Sequence, residues 1–424
     1  MNTKKLTSLL VAASIALQAY GDEPDYLSPF NVIGTKSDIT NLQGSGTVLN
    51  STDLDYFMHT DITEILRQVP GVYVRPEEGY GLFPNISLRG VDPSRSQKVT
   101  ILEDGIPSSP SPFSGPAAYY SPTAGRMAGF EILKGSSSLK YGPNNSGGVI
   151  NYLSTPIPVA QTSKLRGSYG DFNERVAHAY SGGTVDFADG KLGYLLEVFD
   201  HRTDGWKTIA NDATTSTPGV YKSGGAPIYK NDMLFKLSYE FGEGNYLEFK
   251  AGKTDLDGDV SYIGVTKADF NANPYQRYAG TLHDNMDSDQ TRYYLRYLKE
   301  ISDTTKLTAA IFSNEFNRDW YKISKVGNDV SVSGSYNSIG EGALGVANNV
   351  AILKGDLDGE IMYKHNDRTY ETQGIQANLD FELGSHALDL GFRYTNDDYT
   401  YNPGYTEDTY NMSTVSGLSL ASSS

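Results

Sequence analysis

PGVYVR (70–75), ISLRG (86–90), VTILEDGIP (99–107), FEILKGSSSLKYG (130–142) and GGVINYLSTPIP (147–158) follow one another at short, regular spacing, and their order decides the fold. Val72-Tyr73-Val74, Val99-Thr100-Ile101-Leu102 and Val149-Ile150-Asn151-Tyr152 are β-branched and aromatic runs, suited to a small buried sheet. Asp104-Gly105, Tyr141-Gly142-Pro143 and Gly147-Gly148 place turn chemistry between them. Just upstream, Ile62, Ile65, Leu66 and Val69 recur at helical spacing. Asp61 and Glu64 make an N-terminal capping arrangement and Pro70-Gly71 ends the run, which predicts one clear helix over 61–69.

The first residues point to export. Lys4 and Lys5 form a positive n-region, Leu6 to Ala19 a short apolar core, and Ala19-x-Gly21 a small-residue cleavage site, so residues 1–21 read as a secretory signal with maturation near Asp22. The apolar run is too short and too interrupted for a comfortable membrane helix, and no other segment approaches the ~20 apolar residues such a helix needs. An exported chain of this kind can sit in a membrane only as a barrel. Its composition agrees: 31 Tyr and 16 Phe accompany only 38% hydrophobic residues, as alternating strands with aromatic girdles require. The absence of Cys excludes disulfides and a lipoprotein anchor, and the net charge of -16 argues against a nucleic-acid partner.

From about residue 161 the pattern changes to strict alternation. Met233, Phe235, Leu237, Tyr239 and Phe241 alternate with Lys236, Ser238 and Glu240. Leu388, Leu390, Phe392 and Tyr394 alternate with Asp389 and Arg393, while Ile375, Ala377, Leu379 and Phe381 alternate with Gln376, Asn378 and Asp380. One face suits lipid and the other a wet lumen. Tight links at Asp189-Gly190, Gly242-Glu243-Gly244, Ser302-Asp303-Thr304 and Leu383-Gly384-Ser385 alternate with long polar links near 203–231, 256–290 and 317–370. This asymmetry separates a barrel from a soluble sandwich. About nine strands are expected, near 164–170, 174–186, 191–202, 232–241, 245–255, 291–300, 305–316, 371–382 and 386–397.

Taken together, the five blocks resemble the plug of a TonB-dependent outer-membrane receptor, and YGPNNSGGVINYLSTPIP is most similar to the ferric citrate type. The resemblance implies an α+β plug domain followed by an antiparallel transmembrane β-barrel. The division is a signal over 1–21, an N-terminal segment over 22–50, the plug over 51–160 and the N-terminal part of the barrel over 161–424. That family closes with 22 strands, so the nine here lead us to expect a C-terminally truncated receptor, in keeping with the small polar ending Ala421 to Ser424. The resemblance also implies that Pro29, Phe30, Asn31, Val32, Ile33, Gly34 and Thr35 form the TonB box, which adds as a strand to TonB. So few residues precede it that no N-terminal signalling domain is expected. The implied partners are TonB with its inner-membrane ExbB/ExbD motor, a ferric chelate and outer-membrane lipid. The implied location is the outer membrane of a Gram-negative bacterium, and iron enters only as cargo, with no bound cofactor.

Implied ligand contacts fall on the apical plug loops, at Tyr80 and Phe83 in 77–83 and at Phe113 and Gly115 in 110–117, with Arg95 as a further candidate near them. Tyr80 and Gly115 replace the polar residues of the citrate type, so citrate is one candidate among ferric siderophores, with cobalamin or a saccharide as alternatives. Arg202, Arg277, Arg318 and Lys322 are candidate anion contacts in the barrel loops. Arg89, Glu131 and Lys134 match positions where plug charges pair with the barrel wall. No enzyme is expected: the six His lack ligand spacing, Ser137-x-x-Lys140 lacks its partner motifs, and Asp255, Asp257 and Asp259 read as a solvated loop tip, not a calcium loop. A passive porin, an adhesin or a secreted β-rich binding protein are the rivals from other classes.

Overall fold

The computed structural model describes residues 32–33, 36, 38–108, 111–113, 115, 119–209, 226–327, 337–338, 342–401 and 407–423. The expected signal and most of the expected TonB-box stretch lie outside them.

The plug opens with β1 (Ser45–Leu49), α1 (Ser51–Phe57) and α2 (Ile62–Leu66). The hairpin β2 (Val72–Arg75) and β3 (Asn85–Leu88) follows, then β4 (Val99–Glu103), β5 (Ile106–Pro107), β6 (Gly129–Lys134) and β7 (Gly148–Leu153). The main sheet has the order β1-β6-β7-β4-β5, with β4 and β7 parallel. β1 lies inside the segment expected to precede the plug, so the plug sheet begins before residue 51. Asp61 caps α2 through Thr63 N–H at 2.6 Å. Ile62, Ile65 and Leu66, with Val69 beyond the helix, pack on Ile86, Phe130, Ile132 and Ile150. The helix α1 was not expected. It buries no side chain, so it has no apolar stripe to betray it, and a capping box between Asn50 and Asp53 starts it.

The wall is one antiparallel sheet of thirteen strands among the described residues. It comprises β8 (Thr162–Tyr169), β9 (Arg175–Phe187), β10 (Gly190–Thr203), β12 (Ile228–Phe241), β13 (Asn245–Gly258), β15 (Asn285–Ser302) and β16 (Thr305–Gly327), then β17 (Asn337–Ser338), β18 (Gly359–His365), β19 (Arg368–Leu383), β20 (His386–Tyr401), β21 (Glu407–Ser413) and β22 (Gly417–Ser423). The short parallel pair β11 (Thr208–Ile209) and β14 (Gln276–Arg277), with α3 (Lys267–Ala272) and α4 (Ala347–Lys354), belongs to the long links. No described helix is long and apolar enough to cross a membrane.

β18 and β19 pair successive halves of β16, joined by the reciprocal bonds between Trp320 and Asn366, so 359–383 acts as one partner strand. β20 and β21 pair β19 and β18 in turn. With that merging, each of the nine expected runs has one observed counterpart, and β22 pairs beyond them. The long links are shorter than expected, because β15 starts at Asn285 and β16 runs on to Gly327. About 9–11 residues cross a bilayer. Beyond it the outer face meets water and carries Asn317 and Asp319, so alternation fades while the hydrogen-bond ladder continues. Asp255 and Asp257 likewise sit on the outward face of β13 and not on a loop tip.

The alternation has the expected sense: Met233 and Leu237 face out, Leu234, Lys236 and Ser238 face in. The inward face is dry, however. Lys236, Lys250, Arg292 and Arg296 are all 5% exposed or less, because the plug fills the space a wet lumen would occupy.

Candidate functional site

At mid-height, plug and wall are joined through charge. The type I′-like turn after β4, with Asp104 and Gly105 both at positive φ, presents Glu103 and Asp104 to the wall. Lys250 of β13 donates to Glu103 Oε1 and to Asp104 Oδ2, each at 2.6 Å. Arg126, on the plug chain before β6, reaches Glu103 at 2.7 Å and Asp232 of β12 at 3.0 Å. Arg292 of β15 pairs with Asp232 at 2.7 Å, and Arg296 donates to the Asp104 carbonyl. Burial alone would raise the Glu103 carboxyl, but Arg126, Arg292 and Lys250 outweigh it and hold Glu103 well below the usual carboxylate range. Burial would likewise lower Arg126, and Asp232, Glu103 and Glu197 raise it well above its ordinary value. Both therefore stay ionised: this is a set of fixed opposite charges, matched across the plug–wall interface.

Above this layer, at the end bearing the long links, the plug apex meets the wall through Leu82 and Phe83 packed on Trp320 and Met286. Beside it a cavity of about 550 Å³ opens between plug residues Arg75, Glu77, Asn85 and Arg95 and wall-link residues Tyr262 and Leu344. Arg95 pairs with Glu77 and lies 4.0 Å over the Tyr119 ring. Arg318 lies over Tyr119 from 5.1 Å, and Lys322 sits 3.7 Å over Tyr262 and 4.2 Å over Trp320. Arg95 lines the cavity, whereas Arg318 and Lys322 are buried beside it against these aromatic faces. The volume suits a drug-sized chelate.

At the opposite end, near the short turns, Val32 and Ile33 lie against the plug. Their N–H groups donate to Glu131 Oε2 and Oε1 at 2.7 and 2.8 Å, and both side chains pack on Leu102, Leu133 and Val149. Lys140, beside Tyr141 of the same cluster, pairs with Asp389 near the β19–β20 turn.

The expected contacts distribute unevenly. Arg95 lines the cavity, and Arg318 and Lys322 lie buried beside it on β16. Tyr80 is half-buried, its hydroxyl accepting from Trp206 N–H at 3.1 Å, and Phe83 is buried beneath the apex. Phe113 is exposed, its N–H bonded to Asp397 at 2.7 Å, and Gly115 abuts the Tyr370 ring. Arg277 is buried as a brace on Thr281 and the Asp259 carbonyl. Arg202 points outward and pairs with Asp200, away from the cavity. Within the expected box, Val32 and Ile33 are the described residues; Pro29, Phe30, Asn31, Gly34 and Thr35 lie outside them.

The plug–wall coupling differs from expectation. Glu131 holds Val32, Ile33 and Asn151, and Lys134 donates to the Pro70 carbonyl at 2.6 Å, with Arg89 close enough to lower the Lys134 ammonium further after burial. The pairs that cross to the wall come instead from Glu103, Asp104 and Arg126 at mid-height and from Asp55 and Lys140. Their wall partners were detectable as charges at inward positions of alternating strands, such as Asp232, Lys236, Lys250, Arg292 and Arg296. The aromatic half of the site, Tyr119, Tyr262, Trp320 and Tyr370, had no sequence signal, since aromatics are frequent throughout this chain.

Residues 38–149 match the family described as the TonB-dependent Receptor Plug Domain. The chain resembles the ferric citrate transporter FecA in unliganded form, with TM-score 0.65 and 21% identity over 94% of this chain and 53% of that one. It also resembles the open form of the ferric-catecholate import receptor Fiu of E. coli K12 (TM-score 0.58, 17% identity, 87% of this chain, 56% of that one). A third match is the copper transporter OprC (TM-score 0.54, 16% identity, 91% and 47%). The chain thus spans about half the length of these structures and shares their fold.

Proposed function

We propose that this chain, which carries a TonB-dependent receptor plug domain on an outer-membrane receptor fold, serves active uptake of an anionic ferric chelate across the outer membrane of a Gram-negative bacterium. The observation that supports it most is the cavity at the apex of the plug, lined by Arg75, Arg95 and Tyr262, with Lys322 buried behind the Tyr262 ring and Arg318 behind Tyr119. A multiply anionic chelate needs donors fixed in advance, and these are. Both carboxylate chelates and catecholates fit this chemistry, the second using the rings as well. The protein binds and gates; iron enters with its cargo.

In this reading, ligand above favours release of the segment around Val32 and Ile33 below, TonB pairs with that segment as an added strand, and the ExbB/ExbD motor supplies the pull. Two measurements test it. Ferric citrate and a ferric catecholate, titrated separately into the purified protein, should quench Trp206 and Trp320, and the iron-free acids should do so far less. Energised uptake of labelled chelate should fail when Ile33 becomes Pro, which removes a ladder donor. Quenching by neither chelate would end the ligand reading, and unchanged uptake would end the assignment of the box.

A further inference from the structure

We propose that Asn151 is a positioning residue that ties retention of the N-terminal segment to the plug–wall ion pairs. Asn151 sits on β7, directly across from Glu131 on β6 and Leu102 on β4, and its side chain is fully buried. Its amide works in both directions. The Nδ2 group donates to Glu131 Oε2 at 2.7 Å, the same oxygen that accepts Val32 N–H. The Oδ1 atom accepts from Gly105 N–H at 2.9 Å, and that donor dictates which way round the amide lies. Gly105 closes the turn whose preceding residue, Asp104, is held by Lys250 at 2.6 Å, while Gln376 of β19 donates to the Gly105 carbonyl at 3.3 Å.

A single side chain therefore connects two contacts that lie on either side of β7. On one side the wall holds the Asp104-Gly105 turn. On the other Glu131 holds two consecutive main-chain N–H groups. Asn151 aims the Glu131 carboxylate at the segment only while Gly105 keeps the amide in place. When the turn leaves the wall, the amide loses its anchor, Glu131 loses its fixed orientation, and the segment loses two charge-assisted hydrogen bonds of the strong kind. The two ends of the device are a docked and a released segment, and Asn151 makes the wall contact and the docked state favour each other. Its role in uptake rests on the function proposed above; the linkage itself does not.

Hydrogen exchange in the detergent-solubilised 424-residue chain tests it without ligand or TonB. The amides of Val32 and Ile33 should exchange at least ten-fold more slowly than an unstructured peptide, and Glu131→Gln should remove most of that protection. Lys250→Met, or the milder Gln376→Ala, should speed exchange at both amides several-fold. In an Asn151→Asp background, which keeps the acceptor for Gly105 but removes the donor to Glu131, those wall substitutions should add nothing. Ile132 and Val149 amides serve as the check that β6 and β7 remain folded. Equal effects of the wall substitutions with and without Asn151, or no effect in either background, would overturn the linkage. Failure of chelate binding would leave it standing.

Discussion

Arg126 of the plug and Asp232 of the wall, 106 positions apart, meet at 3.0 Å with both side chains shut off from water. The same guanidinium also serves Glu103, so one cation spans the seam between the two parts. Buried pairs of this kind add little net stability, but losing one partner strands the other. The seam is therefore specific in register and costly to break piecemeal.

Arg126→Met should weaken seating of the plug by roughly 3–5 kcal/mol, since Glu103 and Asp232 would keep their charge without it. The midpoint of urea-induced plug release reports this. A change under about 1 kcal/mol would mean that Arg292 and Lys250 suffice.

Three buried acids should respond to pH, two in one sense and one in the other. Burial opposes ionisation of Asp104, but Lys236 and Lys250 prevail and lower its pKa, as Arg126, Arg292 and Lys250 do for Glu103. Their stabilisation is present above the ordinary carboxyl range and is lost only as pH falls through the depressed values, so the plug should stay seated from pH 7 to below 4. Asp284, in the link before β15, is raised to about 6 by burial, with Arg277 and hydrogen bonds from Ser261 and Ile323 opposing. Its contribution is fullest below the ordinary carboxyl value and is lost as pH rises through about 6. Amide exchange in α4, which packs in the same apolar cluster as Ile323, should therefore quicken between pH 5 and 7 beyond the intrinsic rate, and Asp284→Asn should abolish the excess.

Lys322→Met should weaken binding of anionic ferric chelates at least ten-fold, about 1.4 kcal/mol, because the ammonium is held ready on Tyr262 and Trp320. Arg202→Ala should leave affinity unchanged, since that side chain faces away from the cavity. Equal losses for both would point to a general charge effect and not to this site.

Gly79→Ala should disturb the apex. Gly79 has φ +100°, and an added Cβ would lie 3.1 Å from the Trp206 ring. The backbone strain alone is on the order of 1 kcal/mol. In a Trp320→Phe background, Trp206 is the sole indole, and its emission should shift red as the ring is displaced; an unmoved spectrum would show that the loop relaxes without it.

Local chemistry made much of this protein legible from its residues. The capped α2, the Asp104-Gly105 turn, the tight links and the sense of every alternating strand follow from periodicity and turn preference, which act over a few residues. Arg95, Arg318 and Lys322 were also within reach, as cations in links flanking the expected apex. α1 was not, because it has no buried face, and neither was the extension of β16, because alternation ends where the lipid ends.

What only the tertiary structure decided is which distant residues share a partner. The sequence by itself determined that Lys250, Asp232 and Arg292 face inward; it did not determine that Glu103, Asp104 and Arg126 would be there to meet them. Nor could it tell that Glu131 turns from the wall to Val32 and Ile33, or that Asn151 stands between that contact and the Asp104-Gly105 turn. Strand period sets the face a charge occupies, whereas pairing across a seam depends on the depth at which one folded body sits inside another, and that depth is a property of the packed whole.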